Sequence, residues 1–254
     1  MIYEFIKTNF ADGTVVITLN RPQELNALNK AMVMELDQAF EKLAASPAVK
    51  AVIITGEKNF AAGADISNMV DLNPEAAKAF AFGPTFNKIE NCGKPVIAAM
   101  EGYALGGGLE LALACDLRIA SPHTKVGFPE INLGIFPGAG GTQRLTRLIG
   151  PARTKEMIYT GTIIDAVKAA EYGILNLIAE DPGAEARQTA GKLAAKPAVA
   201  LALAKQCINL ALDVDARNGS EFEKVAWAST FATADQKEGM QAFMEKRKAV
   251  FTGK

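Results

Sequence analysis

The chain has 254 residues, with 27 Lys and Arg against 28 Asp and Glu and a formal net charge of −1. At roughly 150 residues per domain it holds one large domain or one with an appendage. Its 49% hydrophobic and 22% charged residues make a folded composition rather than a disordered one. The balanced charge argues against nucleic acid as the main ligand, because such binding draws on a strong basic excess. Cys92, Cys115 and Cys207 are odd in number and widely spaced. They fit reduced thiols packed as small hydrophobes better than a disulfide or zinc framework. The start Met1-Ile2-Tyr3-Glu4 has neither a basic region nor an apolar leader, and no apolar run reaches the roughly 20 residues of a membrane span. The expectation is a soluble, cytoplasmic protein with no membrane partner.

Asp12-Gly13 is a turn dipeptide that can join two strands as a hairpin, the second being Val15 to Leu19. Pro22 ends that run. Asn29 can cap a helix whose inward face is Met32, Val33, Leu36, Phe40 and Leu43, at three- and four-residue steps. Short apolar runs at Ala51 to Thr55, Pro95 to Met100 and Leu117 to Ala120 read as buried strands. Strands alternating with helical stretches indicate an α/β fold. The last strand-like run is Leu175 to Ala179. Beyond about residue 180 glycine becomes sparse, and residues 184–195, 197–213 and 216–232 carry helical patterns. Lys237 to Phe251 begins with one too. Such a helical tail cannot easily close a core of its own, so it packs on the body or on a neighbouring subunit. The Ala-rich stretch ending at Lys196-Pro197 marks the boundary between residues 1–196 and a helical region at 197–254.

Common site patterns are missing. A single histidine, His123, follows Ser121-Pro122 in a turn-like surface segment, and no Gly-x-Ser-x-Gly elbow accompanies it. Gly93-Lys94 runs into Pro95, so there is no phosphate-binding loop. Gly106-x-Gly108 and Gly138-x-Gly140 lack the third glycine of a dinucleotide fingerprint.

What remains are three segments. Gly106-Gly107-Gly108 precedes the apolar helical run Leu109 to Cys115, so free amides at a helix start can face an anion or an oxygen becoming one. Tight chain packing would also explain the glycines, and Glu110 in the first turn could simply offset the helix dipole. The loop Phe60 to Ile66 follows a strand, where α/β sheets place ligands. There Ala62 and Ala64 leave backbone groups uncovered, and Asp65 can cap the next turn. Glu130, flanked by Pro129 and apolar residues, is either a desolvated carboxyl with a raised pKa or part of a solvent-facing turn.

In order and spacing these segments resemble the crotonase (enoyl-CoA hydratase/isomerase) superfamily. The match runs almost end to end, from Leu19-Asn20-Arg21-Pro22 and Leu25 to Asn29 through Ala62 to Asp65, Gly106 to Glu110 and Cys115-Asp116. It continues through Pro129-Glu130 and Gly138 to Leu145, then Phe231-Ala232, Glu238-Gly239-Met240 and Glu245-Lys246-Arg247. The resemblance implies an α/β spiral of repeated ββα units, followed by a C-terminal α-helical region that makes trimers, commonly paired into hexamers. It implies that the amides of Ala64 and Gly107 receive a thioester oxygen as an oxyanion hole.

Reactions differ across the superfamily, so the acids decide. Glu110 and Glu130 match the two glutamates of hydratases, whereas double-bond isomerases often keep only the second. The implied reaction is reversible syn addition of water to a trans-2-enoyl-CoA, giving a (3S)-3-hydroxyacyl-CoA, with Glu110 as base and Glu130 as acid. A Δ3-Δ2 enoyl-CoA isomerase and a non-catalytic acyl-CoA-binding member are the alternatives. No metal, nicotinamide or flavin is implied, since coenzyme A arrives as part of the substrate. Ala27, Leu28, Ala62, Asp65 and Ile66 would line the CoA groove. Phe243 and Lys246 match positions at which a neighbouring subunit touches CoA. Phe128 stands where hydratases commonly carry a polar residue, which bears on acyl-chain preference, and Ser67 to Glu90 is expected to shape the pocket floor.

Overall fold

Asp12 and Gly13 both take positive φ, 49° and 76°, as a two-residue hairpin turn requires. The flanking strands β1 (Ile6–Ala11) and β2 (Thr14–Leu19) pair antiparallel. In this computed structural model, which describes residues 3–254, the Asn29 side chain accepts from the Met32 amide at 2.8 Å and opens α1 (Lys30–Ala45). The chain continues through β3 (Ala51–Gly56), α2 (Pro74–Phe80), α3 (Gly83–Glu90), β4 (Val96–Met100), β5 (Tyr103–Leu105) and α4 (Gly107–Leu113). Next come β6 (Leu117–Ala120), β7 (Lys125–Gly127), α5 (Gly141–Ile149), α6 (Pro151–Thr160), β8 (Ile163–Asp165), α7 (Ala166–Glu171) and β9 (Leu177–Ile178). Helices α8 (Pro182–Ala194), α9 (Ala198–Leu210), α10 (Ala216–Thr230) and α11 (Ala234–Met244) complete the chain.

Six strands form one sheet in the order β1-β2-β3-β4-β6-β9, parallel beyond the opening hairpin. A second sheet, β5-β7-β8, stands beside it. The central strands are apolar on both faces because both are covered, the usual state of parallel sheets. Ala51, Ile53, Ile97, Ala99 and Ile119 meet Ala186 and Ala190 of α8 on one side. Val52, Ile54, Val96, Ala98 and Met100 face the larger core on the other, together with α1, the wholly buried α4, and Ala104 and Val126 of the second sheet. The helix expected over 184–195 therefore packs on the body. By contrast α9, paired with α10, has no buried residue of its own.

The expected helix beginning at Lys237 differs in extent. Capped by Thr233, α11 starts three residues earlier at Ala234, and it stops at Met244 instead of running toward Phe251. Lys246 takes a left-handed φ of 56°, and Arg247 turns back to grip Glu238. The amides of Thr252 and Gly253 then donate to the buried Asp235 carboxylate.

Candidate active site

Beyond the carboxyl ends of β3 and β4, where open α/β sheets bind ligands, the loop after β3 meets the start of α4. The Ala61 amide donates to the Tyr103 carbonyl at 2.9 Å and its carbonyl accepts from Leu105 at 3.0 Å, stitching the loop to the second sheet. On its other edge Ala62 donates to the Leu25 carbonyl, Leu28 donates to Gly63, and Asp65 donates to Leu28. This alternation skips Ala64, whose amide has no acceptor among the described residues. The Gly107 amide, in the first turn of α4, has none either. A Cβ on Gly107 would lie 3.5 Å from the Ala64 nitrogen, so the two unpaired donors adjoin. A Cβ on Gly108 would run into the Ala61 carbonyl, and glycine there is what lets helix and loop approach.

The two glutamates share this cavity of about 430 Å³ but not the same surroundings. Glu110 is 3% exposed, and its Oε1 accepts from the amides of Ala139 and Gly141, each at 2.7 Å. Burial raises its pKa, while those two amides and the Arg144 charge pull the other way. Glu130 lies in the 3₁₀ turn Pro129–Leu133. Its Oε2 is buried with no partner, and burial, with the Glu110 charge adding to it, pushes its pKa up to about 7. The desolvated-carboxyl reading of Glu130 is the one the structure supports. Gly106, at φ 49°, passes directly beneath it: a Cβ there would sit 2.8 Å from Glu130 Oε1. An added proton is therefore held more readily by Glu130, and the anion more readily by Glu110.

Of the residues expected from sequence, Ala62, Ala64, Ile66, Gly107, Glu110 and Glu130 line the cavity together. Leu28 is buried beside Gly107. Ala27 and Asp65 act as supports: the Arg21 guanidinium donates to the Ala27 carbonyl at 2.6 Å and to Asp65 at 2.9 Å. Asp65 also caps the turn Ile66–Asn68 through Ser67. Phe243 and Lys246 are exposed on the C-terminal element and do not reach this cavity within one chain.

Phe128 is fully buried behind the Glu110 clamp, with its ring against Gly141. The apolar wall of the cavity is made instead by Met69, Phe80, Phe82, Leu133, Ile135 and Phe136. The first three fall in the segment expected to shape the floor. The amides of Ala139 and Gly141, which hold the Glu110 carboxylate, are contacts that residue-type reasoning missed, since backbone donors carry no side-chain signature. Their one signal was the glycine-rich run from Gly138 to Gly141. His123 is exposed, and burial pushes the Cys115 thiol up to about 12.

Comparison with known proteins decides the family. A model described as enoyl-CoA hydratase/isomerase matches residues 9–254. The chain belongs to the enoyl-CoA hydratase/isomerase family. Within it, the chain is 44% identical to a crotonyl-CoA hydratase of Syntrophomonas wolfei over 100% of both proteins. It is also 44% identical to a short-chain-enoyl-CoA hydratase of Clostridium acetobutylicum over 92% of each. An enoyl-CoA hydratase crystal structure from Bacillus anthracis superimposes with a TM-score of 0.95 at 40% identity, covering 99% of this chain and 100% of that one. The mixed α/β architecture expected from the resemblance is thus the fold of solved family members. No helix among the described residues is long and apolar enough to cross a membrane.

Proposed function

We propose that the protein is an enoyl-CoA hydratase that adds water reversibly to trans-2-enoyl-CoA thioesters. One observation carries the reading: two carboxylates in opposed environments face the same cavity as two unpaired backbone amides. The thioester oxygen accepts from Ala64 and Gly107, whose fixed donors stabilise the enolate as charge develops. A water between the acids is deprotonated by Glu110, whose carboxylate accepts from two amides, as it attacks the β-carbon. Glu130, with a pKa of about 7, delivers the proton to the α-carbon. Syn addition gives the (3S)-3-hydroxyacyl-CoA.

The chemistry uses only these side chains and amides, with no further cofactor, and coenzyme A enters with the substrate. Names of relatives such as crotonyl-CoA and short-chain-enoyl-CoA hydratase support short acyl chains, in β-oxidation or related acyl-CoA metabolism in the cytoplasm. Residues 1–196 form the catalytic unit and residues 197–254 the assembly region of a homotrimer or hexamer. Its exposed Ile208, Leu212, Val225 and Trp227 supply the apolar contacts, and a neighbour's C-terminal element brings Phe243 and Lys246 to CoA.

The test is crotonyl-CoA hydration, followed as loss of the conjugated enoyl-thioester absorbance with a mass gain of one water. Glu110→Gln and Glu130→Gln should each lower kcat by about 10² to 10⁴-fold, with little change in acyl-CoA affinity. The double variant should lose much less than the product of the two. Near-normal turnover in Glu110→Gln beside a dead Glu130→Gln, with a 3-enoyl-CoA converted to the 2-enoyl isomer, would replace hydration by isomerisation.

A further inference from the structure

We propose that Arg144 is the positioning residue for Glu110: its guanidinium braces the 139–141 loop against that carboxylate and ties the loop to α3. The inference rests on the reading of Glu110 as the base.

Arg144 sits in the first half of α5 and does not line the catalytic cavity. It borders a separate hollow on the far side of the loop, where α5 and α9 face each other. Its Nη1 donates to the Ala139 carbonyl at 3.0 Å, and the amide of that same residue donates to Glu110 Oε1. Its Nη2 donates to Asn87 Oδ1 and Glu90 Oε2, both at 2.7 Å and both on α3. The side chain is 10% exposed, and its Nε is buried without a partner. A guanidinium that leaves one donor unpaired in the interior is held there by the remaining contacts. Only its planar fork can reach a backbone carbonyl on one side and a carboxylate on the other. Helix α3 starts directly after Phe82, which lines the catalytic cavity.

Few charges compete with this arrangement. Glu110 faces Glu130 from the 3₁₀ turn and Arg144 from α5. Arg144 faces Glu90 from α3 and the Cys115 thiol beyond α4, which burial keeps protonated. Arg147, the next basic residue of α5, is turned to Asp213 at 3.6 Å. Arg144 is thus the one cation acting on Glu110 in this set, and its charge favours the ionised carboxylate.

The experiment measures kcat and KM for crotonyl-CoA across pH in the full-length protein and in Arg144→Met, Arg144→Lys and Glu90→Gln. The base must be ionised, so activity falls on the acid side as Glu110 gains its proton. Removing a neighbouring cation raises a carboxyl pKa. The acid limb of Arg144→Met should therefore move up. Its kcat should fall roughly 10- to 100-fold, as a misplaced catalytic group does, with KM nearly constant. Arg144→Lys keeps the charge but not the fork, so its acid limb should stay while kcat falls. Glu90→Gln removes the anion that offsets the guanidinium and should move the limb down.

An acid limb in Arg144→Met that coincides with the wild type overturns the proposal, and so does wild-type kcat in Arg144→Lys. Should Arg144→Met not fold, the other two variants decide: an unmoved limb in Glu90→Gln, or full kcat in Arg144→Lys, is enough to overturn it. Failure of the hydratase reading looks different, because Glu110→Gln itself would then keep its turnover.

Discussion

Glu130→Gln should make the enzyme more stable and nearly inactive at once. The carboxyl has its pKa raised from 4.5 to about 7 by burial, with Oε2 unpartnered and Glu110 adding repulsion. At 1.36 kcal/mol per pH unit, the full interval corresponds to about 3 kcal/mol. The cavity mouth admits solvent, which screens part of it, so about 1–3 kcal/mol is expected. The sign follows from linkage: the folded state binds the proton more tightly than the unfolded chain. Stability from this group is complete below pH 4.5 and is lost as pH rises through about 7. Glutamine has no charge to bury and lacks that dependence. Denaturant unfolding of both proteins should therefore nearly coincide at about pH 4.5 and diverge by about 1–3 kcal/mol at about pH 8.5, the variant being the more stable. In the hydration assay the same variant should lose about 10² to 10⁴-fold in kcat. Equal stability differences at both pH values, or a variant less stable at the higher one, would refute the claim that Glu130 is held against its own ionisation.

Three further outcomes follow from the same geometry. Gly106→Ala places a methyl group 2.8 Å from Glu130 Oε1 on a backbone at φ 49°. It should cost about 1–3 kcal/mol in denaturant unfolding and depress kcat more than it raises KM. Asp65→Asn leaves the Arg21 guanidinium, 12% exposed, without its anion. A loss of about 3 kcal/mol is expected for a largely buried pair broken on one side, with a raised KM in the hydration assay as the Ala64 loop loosens. Sedimentation should give a trimer or hexamer. Deleting residues 198–254 should yield aggregated material, since it removes the Lys205 to Asp116 ion pair at 2.8 Å and uncovers apolar body surface; a well-folded monomer would remove the assembly role.

Local chemistry makes much of this protein legible in its residues alone. The Asp12-Gly13 turn, the Asn29 cap and the spacing of Met32, Leu36 and Phe40 each act through neighbours a few residues away, so sequence by itself determined the opening hairpin and α1. The apolar runs of β3, β4 and β6 were equally legible, because strands buried on both faces need continuous hydrophobicity. Glu110, Glu130 and the two bare amide positions were found through an ordered set of motifs spanning the chain. The rest belongs to tertiary structure. Strands β5, β7 and β8 have three residues each, too short for any period, and exist because distant partners such as Lys125 and Asp165 complete their hydrogen bonds. Helix α11 ends where Glu238 and Arg247 meet, nine residues apart, not where its helical pattern fades. The raised pKa of Glu130 and the clamp on Glu110 depend on backbone amides and on burial. Neither is written in a residue's own type, so only the folded chain could place the two carboxylates in such different surroundings.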